Sequence, residues 1–259
     1  MWDTDEIILG YKITTLSLQN CIQKIIDWII SGERQKYFVC ANPHSLETAK
    51  KDVLFERALK ESDLVIPDGI GIVIASILLG GKIRHRITGY DIFWNLSIEL
   101  NKSNGFRVFF LGSTDDNLKR IVEKMKIDFP NIKIVGTYSP LFKSVFSDED
   151  NSVMVEVINK TNPNILWVGM TAPKQETWIY RNKSFLNVNF IGPIGAVFDF
   201  YTGRIKRSHP IFQRVGLEWL PRLLREPRRL WRRNFISNPS FLLKVLQAKI
   251  NQRAKTSTS

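Results

Sequence analysis

Along the chain, short apolar runs alternate with longer stretches in which apolar positions recur every three or four residues. The runs "YFVCA" (37–41), "LVIP" (64–67), "RVFFLG" (107–112), "KIVG" (133–136), "ILWVG" (165–169) and "VNFIG" (188–192) read as buried strands. Helical periodicity occupies roughly 45–60, 70–79, 90–102, 115–127, 149–160 and 174–184. Ahead of these, "EIILGYKITTLS" alternates and turns at Gly10, which predicts a short hairpin. Ser17 stands where it would cap a helix whose Leu18, Cys21, Ile22, Ile25, Ile26 and Ile29 share one face. Strand–helix alternation predicts an α/β protein with a parallel sheet covered by helices on both faces. Such sheets bind ligands beyond the carboxyl ends of their strands. The segments that matter are therefore "ANPHS", "PDG", "GSTDD", "GMTAPKQE" and "GPIGAVFDF".

Composition adds little to this, but charge adds a division. The 259 residues are 44% hydrophobic and 24% charged, as a globular chain should be. Of the net charge of +12, residues 1–200 contribute nothing, while residues 201–259 hold 14 Lys and Arg against only Glu218 and Glu226. A neutral body carrying a basic attachment is expected, divided as a core over 1–203 and an appendage over 204–259. Cys21 and Cys40 are too few for a disulfide framework; their apolar surroundings suit buried thiols in a reducing compartment. The acidic opening "MWDTDEIIL" lacks a signal-peptide pattern. The longest apolar run, Ile70–Gly81, falls well short of the roughly 20 residues that span a bilayer. The expectation is a cytoplasmic protein whose membrane contact is peripheral.

Each candidate site has a plain structural alternative. Asp68 in "VIPDGIG" follows a strand and precedes an apolar helix, as a turn or N-cap aspartate would. The same place suits a general base at the sheet mouth, its pKa raised by partial burial. In "GMTAPKQETW", Gly169 ends a strand, Pro173 suits a first helical turn, and Lys174 stands beside exposed backbone N–H groups, a good seat for a diphosphate. Gln175 can hydrogen-bond a sugar or leaving group; Glu176 then merely complements the helix dipole. "GSTDDN" repeats the strand–Gly–cap logic at Gly112 and Ser113, with Asp115 and Asp116 read as capping acids. "GPIGAVFDFYTG" is apolar around Asp199 and bounded by glycines, Gly195 among them; a carboxylate buried there needs a base, a ribose or local backbone donors. Arg84, His85 and Arg86 in "KIRHRITGYD" are either a solvated charge run or the source of an arginine folded over a leaving phosphate. Asp148-x-Asp150 spells a metal pattern, but behind Ser147 it reads as a capped helix start. The three histidines lie far apart, and neither G-x-G-x-x-G nor a Walker A loop occurs, so no metal and no cofactor is expected.

Taken in order, "PDG", "APKQE" followed by Trp178, "GxxGAVFDFYTG" and "GLEWLPRLLREPRRLWRR" resemble the WecG/TagA/CpsF family, glycosyltransferase family 26, over roughly Ile7 to Phe235. The resemblance implies a Rossmann-like core and a C-terminal helical appendage that aids membrane targeting and closes over the active site. It implies inverting, metal-independent transfer of a sugar from a UDP-sugar to a polyprenyl-diphosphate-linked saccharide in bacterial surface-polysaccharide synthesis. The donor sugar would be N-acetylmannosamine, its uronic acid or a hexose. By the same resemblance the catalytic base falls on Asp68, with Asn42, Arg86 and Gln175 beside it, and Cys40 stands where the family usually has Thr. The donor would lie among Cys40, Gly112, Ser113, Gly169, Pro173, Lys174, Gly195 and Asp199.

"WLPRLLREPRRLWRRNF" (219–235) places six arginines among Trp, Leu and Phe. Pro221 and Pro227 suit helix starts, and Trp231 and Phe235 pair at i, i+4. An in-plane interfacial helix needs such a basic face with an apolar one opposite, and Leu242, Leu243, Val245 and Leu246 could add to the apolar share. Arg222, Arg229 and Arg232 would serve either the donor diphosphate or an anionic membrane on the inner face of the plasma membrane. The alternative is a nucleic-acid-binding protein using its basic end; aromatics set within Leu-rich helices argue against it. Whether the chain forms a homo-oligomer stays open.

Overall fold

The computed structural model describes residues 4–206, 209, 223, 231 and 233–257. The hairpin forms first, β1 (Asp5–Ile8) pairing antiparallel with β2 (Tyr11–Thr14) around Gly10. The main sheet has β3 (Lys36–Ala41), β4 (Leu64–Pro67), β5 (Arg107–Gly112), β6 (Lys133–Tyr138), β7 (Ile165–Gly169) and β8 (Phe190–Pro193). Their order is β4-β3-β8-β7-β5-β6, every neighbouring pair parallel. The predicted strands thus stand, β6 running two residues further and β8 starting later than its apolar pattern.

Alternation along the strands makes two cores, one on each face. On one face Tyr37, Val39, Phe109, Leu111, Leu166 and Val168 meet helices α2 (Pro43–Ala49), α3 (Val53–Lys60), α4 (Ile70–Leu79), α7 (Asp148–Lys160) and α8 (Lys174–Asn182). On the other, Phe38, Phe110, Trp167 and Phe190 meet α1 (Leu18–Ile30), α5 (Gly89–Leu100), α6 (Asp115–Asp128) and α9 (Val197–Tyr201). Side-chain caps explain several helix starts: Ser17, Thr88, Thr114 and Ser147 each accept an N–H from the first turn. Asp52 does the same from within the stretch expected to be one helix over 45–60, and splits it into α2 and α3.

The apolar segment around Asp199 holds a short helix: residues 197–201 form α9, which buries Val197, Phe198 and Tyr201, so its apolarity belongs to the core. One expectation is corrected. The last helix, α10 (Asn238–Ser257), does not offer Val245 to a membrane. Val245 and Phe241 are fully buried against α2 and α4, with Leu242 packed beside them; Leu243 and Leu246 do face outward. Glu47 on α2 fixes the docking by accepting from Ser240 at 3.2 Å and Lys244 Nζ at 2.5 Å.

Candidate active site

The carboxyl ends of the parallel strands gather the predicted residues in two groups. In the first, β3 ends at Ala41 and β4 at Pro67, and the Asp68 N–H donates to the Ala41 carbonyl at 2.8 Å, extending the ladder by one residue. Asp68 and Asn42 therefore stand side by side at the mouth. Gly69 follows at φ +103° and begins the turn into α4, a left-handed conformation that a side chain would strain. The loop after α4 returns to the same place, because the Ile87 N–H donates to the Pro67 carbonyl at 2.8 Å. That bond brings Arg86, half-buried, to the end of β4. Asn42 also caps α2: its Oδ1 accepts the Ser45 N–H at 3.0 Å, while Ser45 Oγ accepts the Asn42 N–H at 2.7 Å. Cys40 is only partly buried, whereas Cys21 is buried outright. Desolvation, then the Asp68 and Glu176 carboxylates, push the Cys40 thiol well above its usual range, so it is not a thiolate nucleophile.

The second group sits beyond β5, β7 and β8. Gly112 (φ +108°) runs so close to β7 that a Cβ there would lie 2.5 Å from the Gly169 carbonyl oxygen. Ser113 follows at φ +61°. Asn117, fully buried in the first turn of α6, donates through Nδ2 to Ser113 Oγ at 2.9 Å and to Asp199 Oδ1 at 3.2 Å. Thr202 Oγ1 donates to Asn117 Oδ1 at 2.7 Å, and Arg204 reaches Asp199 at 3.7 Å. Asp199 is thus a half-exposed carboxylate with side-chain partners, not the buried one expected. Sequence reasoning missed Asn117; its single signal was its place three residues after the Thr114 cap.

Between the groups lies the loop after β7. The Met170 N–H donates to Gln175 Oε1 at 3.3 Å, and Gln175 Nε2 donates to Glu176 Oε1 at 2.9 Å. A Cβ on Gly195 would lie 3.3 Å from the same Gln175 oxygen, so the two segments close on one another. Glu176 does not serve the helix dipole from solvent. It is 3% exposed, its Oε2 has no hydrogen-bond partner among the described residues, and burial raises its pKa to about 7 against the Gln175 bond. Pro173 precedes α8 without a side-chain cap. Lys174 donates to the Lys143 carbonyl and lies 3.7 Å from the Phe146 ring centre, and desolvation lowers its pKa. It thereby ties the loop after β6 to the sheet mouth. Asp150 is engaged as a cap and an ion-pair partner, accepting the Ser147 N–H at 2.9 Å and Lys143 Nζ at 2.8 Å. Arg222, Arg229 and Arg232 lie outside the described residues.

A parallel sheet whose mouth sets a carboxylate and an arginine loop opposite a polar network is built for group transfer, and glycosyl transfer is the class it fits. The chain belongs to the glycosyl transferase WecG/TagA/CpsF family, whose model matches residues 7–255. An N-acetylglucosaminyldiphosphoundecaprenol N-acetyl-beta-D-mannosaminyltransferase of Bacillus spizizenii is 33% identical over 211 residues, 82% of this chain and 79% of the relative. The protein of the same name from Staphylococcus aureus strain MW2 is 25% identical over 243 residues, 93% of this chain and 92% of the relative.

Proposed function

We propose that this chain is an inverting, metal-independent glycosyltransferase that moves a sugar from a UDP-sugar onto a polyprenyl-diphosphate-linked saccharide during surface-polysaccharide synthesis. The observation that carries this reading is the meeting of Asp68, Asn42 and the Arg86 loop at the mouth of β3 and β4. The relatives' names support an N-acetylmannosamine-type sugar and a lipid-diphosphate acceptor. In the proposed step an acceptor hydroxyl attacks the anomeric carbon while Asp68 takes its proton. The new glycosidic bond forms as the bond to the β-phosphate oxygen breaks, and UDP departs as an anion. Arg86 and the N-terminus of α8, helped by arginines of the C-terminal segment, meet that charge. Gln175 orients the transferred sugar or the leaving group, and the Ser113–Asn117–Asp199 network takes the nucleoside. Residues 204–259 act as an attachment that brings this core to an anionic inner membrane face; among the described residues no helix is long and apolar enough to cross it.

Asp68→Asn tests the assignment. It should keep its affinity for UDP in calorimetry yet lose on the order of 10²–10⁴ in turnover, the usual contribution of a general base. Turnover near that of the wild type would take Asp68 out of the role.

A further inference from the structure

α4 leaves the site directly behind Asp68 and buries Ile72, Val73, Ala75 and Ser76. Its opposite side is also apolar: Ile70, Ile74 and Ile77, spaced i, i+4, i+7, all face outward, Ile77 at 54% exposure. A helix face left to water carries polar residues, whereas this one presents isoleucine on three successive turns. The segment that follows is basic, with Lys82 and Arg84 exposed and no carboxylate in residues 69–90; Glu6 of β1 reaches it, its Oε2 accepting the Lys82 N–H at 2.5 Å. Arg84 is held in place by bonds from Nη1 to the Gly81 and Ile83 carbonyls at 2.8 and 3.0 Å. α10, packed beside α4, repeats the device by turning Leu243, Leu246 and Ile250 outward.

We propose that the outward isoleucine stripe of α4, with Lys82 and Arg84 beyond it, is a docking surface of the core itself for the interfacial zone of an anionic bilayer. The inference rests on the transferase reading and deepens it. A helix lying in the interface buries its apolar stripe just beneath the headgroups and leaves its cations among them. Asp68 stands two residues before Ile70, so this docking sets it level with the headgroups, where a lipid-linked acceptor carries its diphosphate and first sugars. A second copy of the chain fits the surface poorly. Paired face to face, Lys82 and Arg84 would meet the same cations, and the Glu6 carboxylate beside them is already taken up by the Lys82 N–H of its own chain.

Flotation of the full chain with phosphatidylcholine vesicles, with and without phosphatidylglycerol, tests this. The variants are Ile74→Ser/Ile77→Ser and Lys82→Gln/Arg84→Gln, all at exposed positions away from Asp68. Each double variant should lose on the order of tenfold in partitioning onto the anionic vesicles. Each should melt like the wild type and lose rate on a long-chain acceptor held in vesicles, and the isoleucine variant should turn over a short-chain soluble acceptor at the wild-type rate. Wild-type flotation by the isoleucine variant would overturn the proposal. So would a loss that accompanies a dimer-to-monomer change in sedimentation, which would assign the face to a second copy. Flotation is scored apart from transfer: a wild type that floats as expected but transfers no sugar would overturn the assigned activity and leave the docking surface supported.

Discussion

Glu176 shows how far a single residue can depart from its sequence context. In the first turn of a helix an acid normally faces solvent and complements the dipole. Here α8 packs against α3 and β8, so the carboxyl is enclosed and its pKa rises from 4.5 to about 7. Between those values the folded state holds a proton that the unfolded chain has released. Stability therefore falls as pH rises through that window, by about 3 kcal/mol in full. Below it both states are protonated and there is no penalty; above it the penalty is complete. Glu176→Gln keeps an acceptor for Gln175 and removes the ionisation. Its melting temperature relative to the wild type should be clearly higher at pH 8 than at pH 5, and parallel pH profiles for the two proteins would contradict the assignment. Nothing in "APKQE" indicates that both adjacent polar residues, Gln175 and Glu176, are enclosed; the tertiary packing, with Gly195 close on Gln175, decides it.

At the scale of elements, α10 is the part whose role changed most between sequence and structure. Its Leu242, Leu243, Val245 and Leu246 form an apolar cluster in sequence, but the helix divides them, Val245 inward with Phe241, Leu243 and Leu246 outward. Phe241→Ala should cost about 3–5 kcal/mol in denaturant unfolding, the range for emptying a buried aromatic site. A loss below 1 kcal/mol would mean that α10 is not part of the cooperative core. The strands, in contrast, were legible almost to the residue, because a doubly covered parallel strand is an apolar run with sharp ends. α9 was not: five residues are too few for a helical period to emerge, and Phe198 and Tyr201 read equally well as an apolar loop.

For the whole molecule the governing quantity is where charge lies. The excess of +12 belongs to residues 201–259, and the core adds its own acid-free stretch over residues 69–90. Attraction of this kind is screened over about 8 Å at physiological salt and about 3 Å at 1 M. Binding to anionic vesicles should accordingly drop steeply between those conditions and keep a salt-insensitive remainder from the apolar stripes; co-sedimentation across a salt series measures both. Strong, salt-sensitive gel shifts of nucleic acid without vesicle binding would instead favour the basic end as a nucleic-acid site.

The sequence by itself determined the α/β class, the strand ends that form the mouth, the segments just beyond them that hold Asp68, Asn42 and Gln175, and the split between neutral body and basic end. These follow from local periodicity, from turn chemistry and from counting charges, none of which needs a partner segment. Only the tertiary structure decided that Asn117 links Ser113 to Asp199, that Glu176 is enclosed, and that α10 docks on α2 and α4 while α4 keeps a stripe of isoleucines outside. Each of these depends on which distant segments share a face, and burial is a property of that meeting rather than of any residue along the chain.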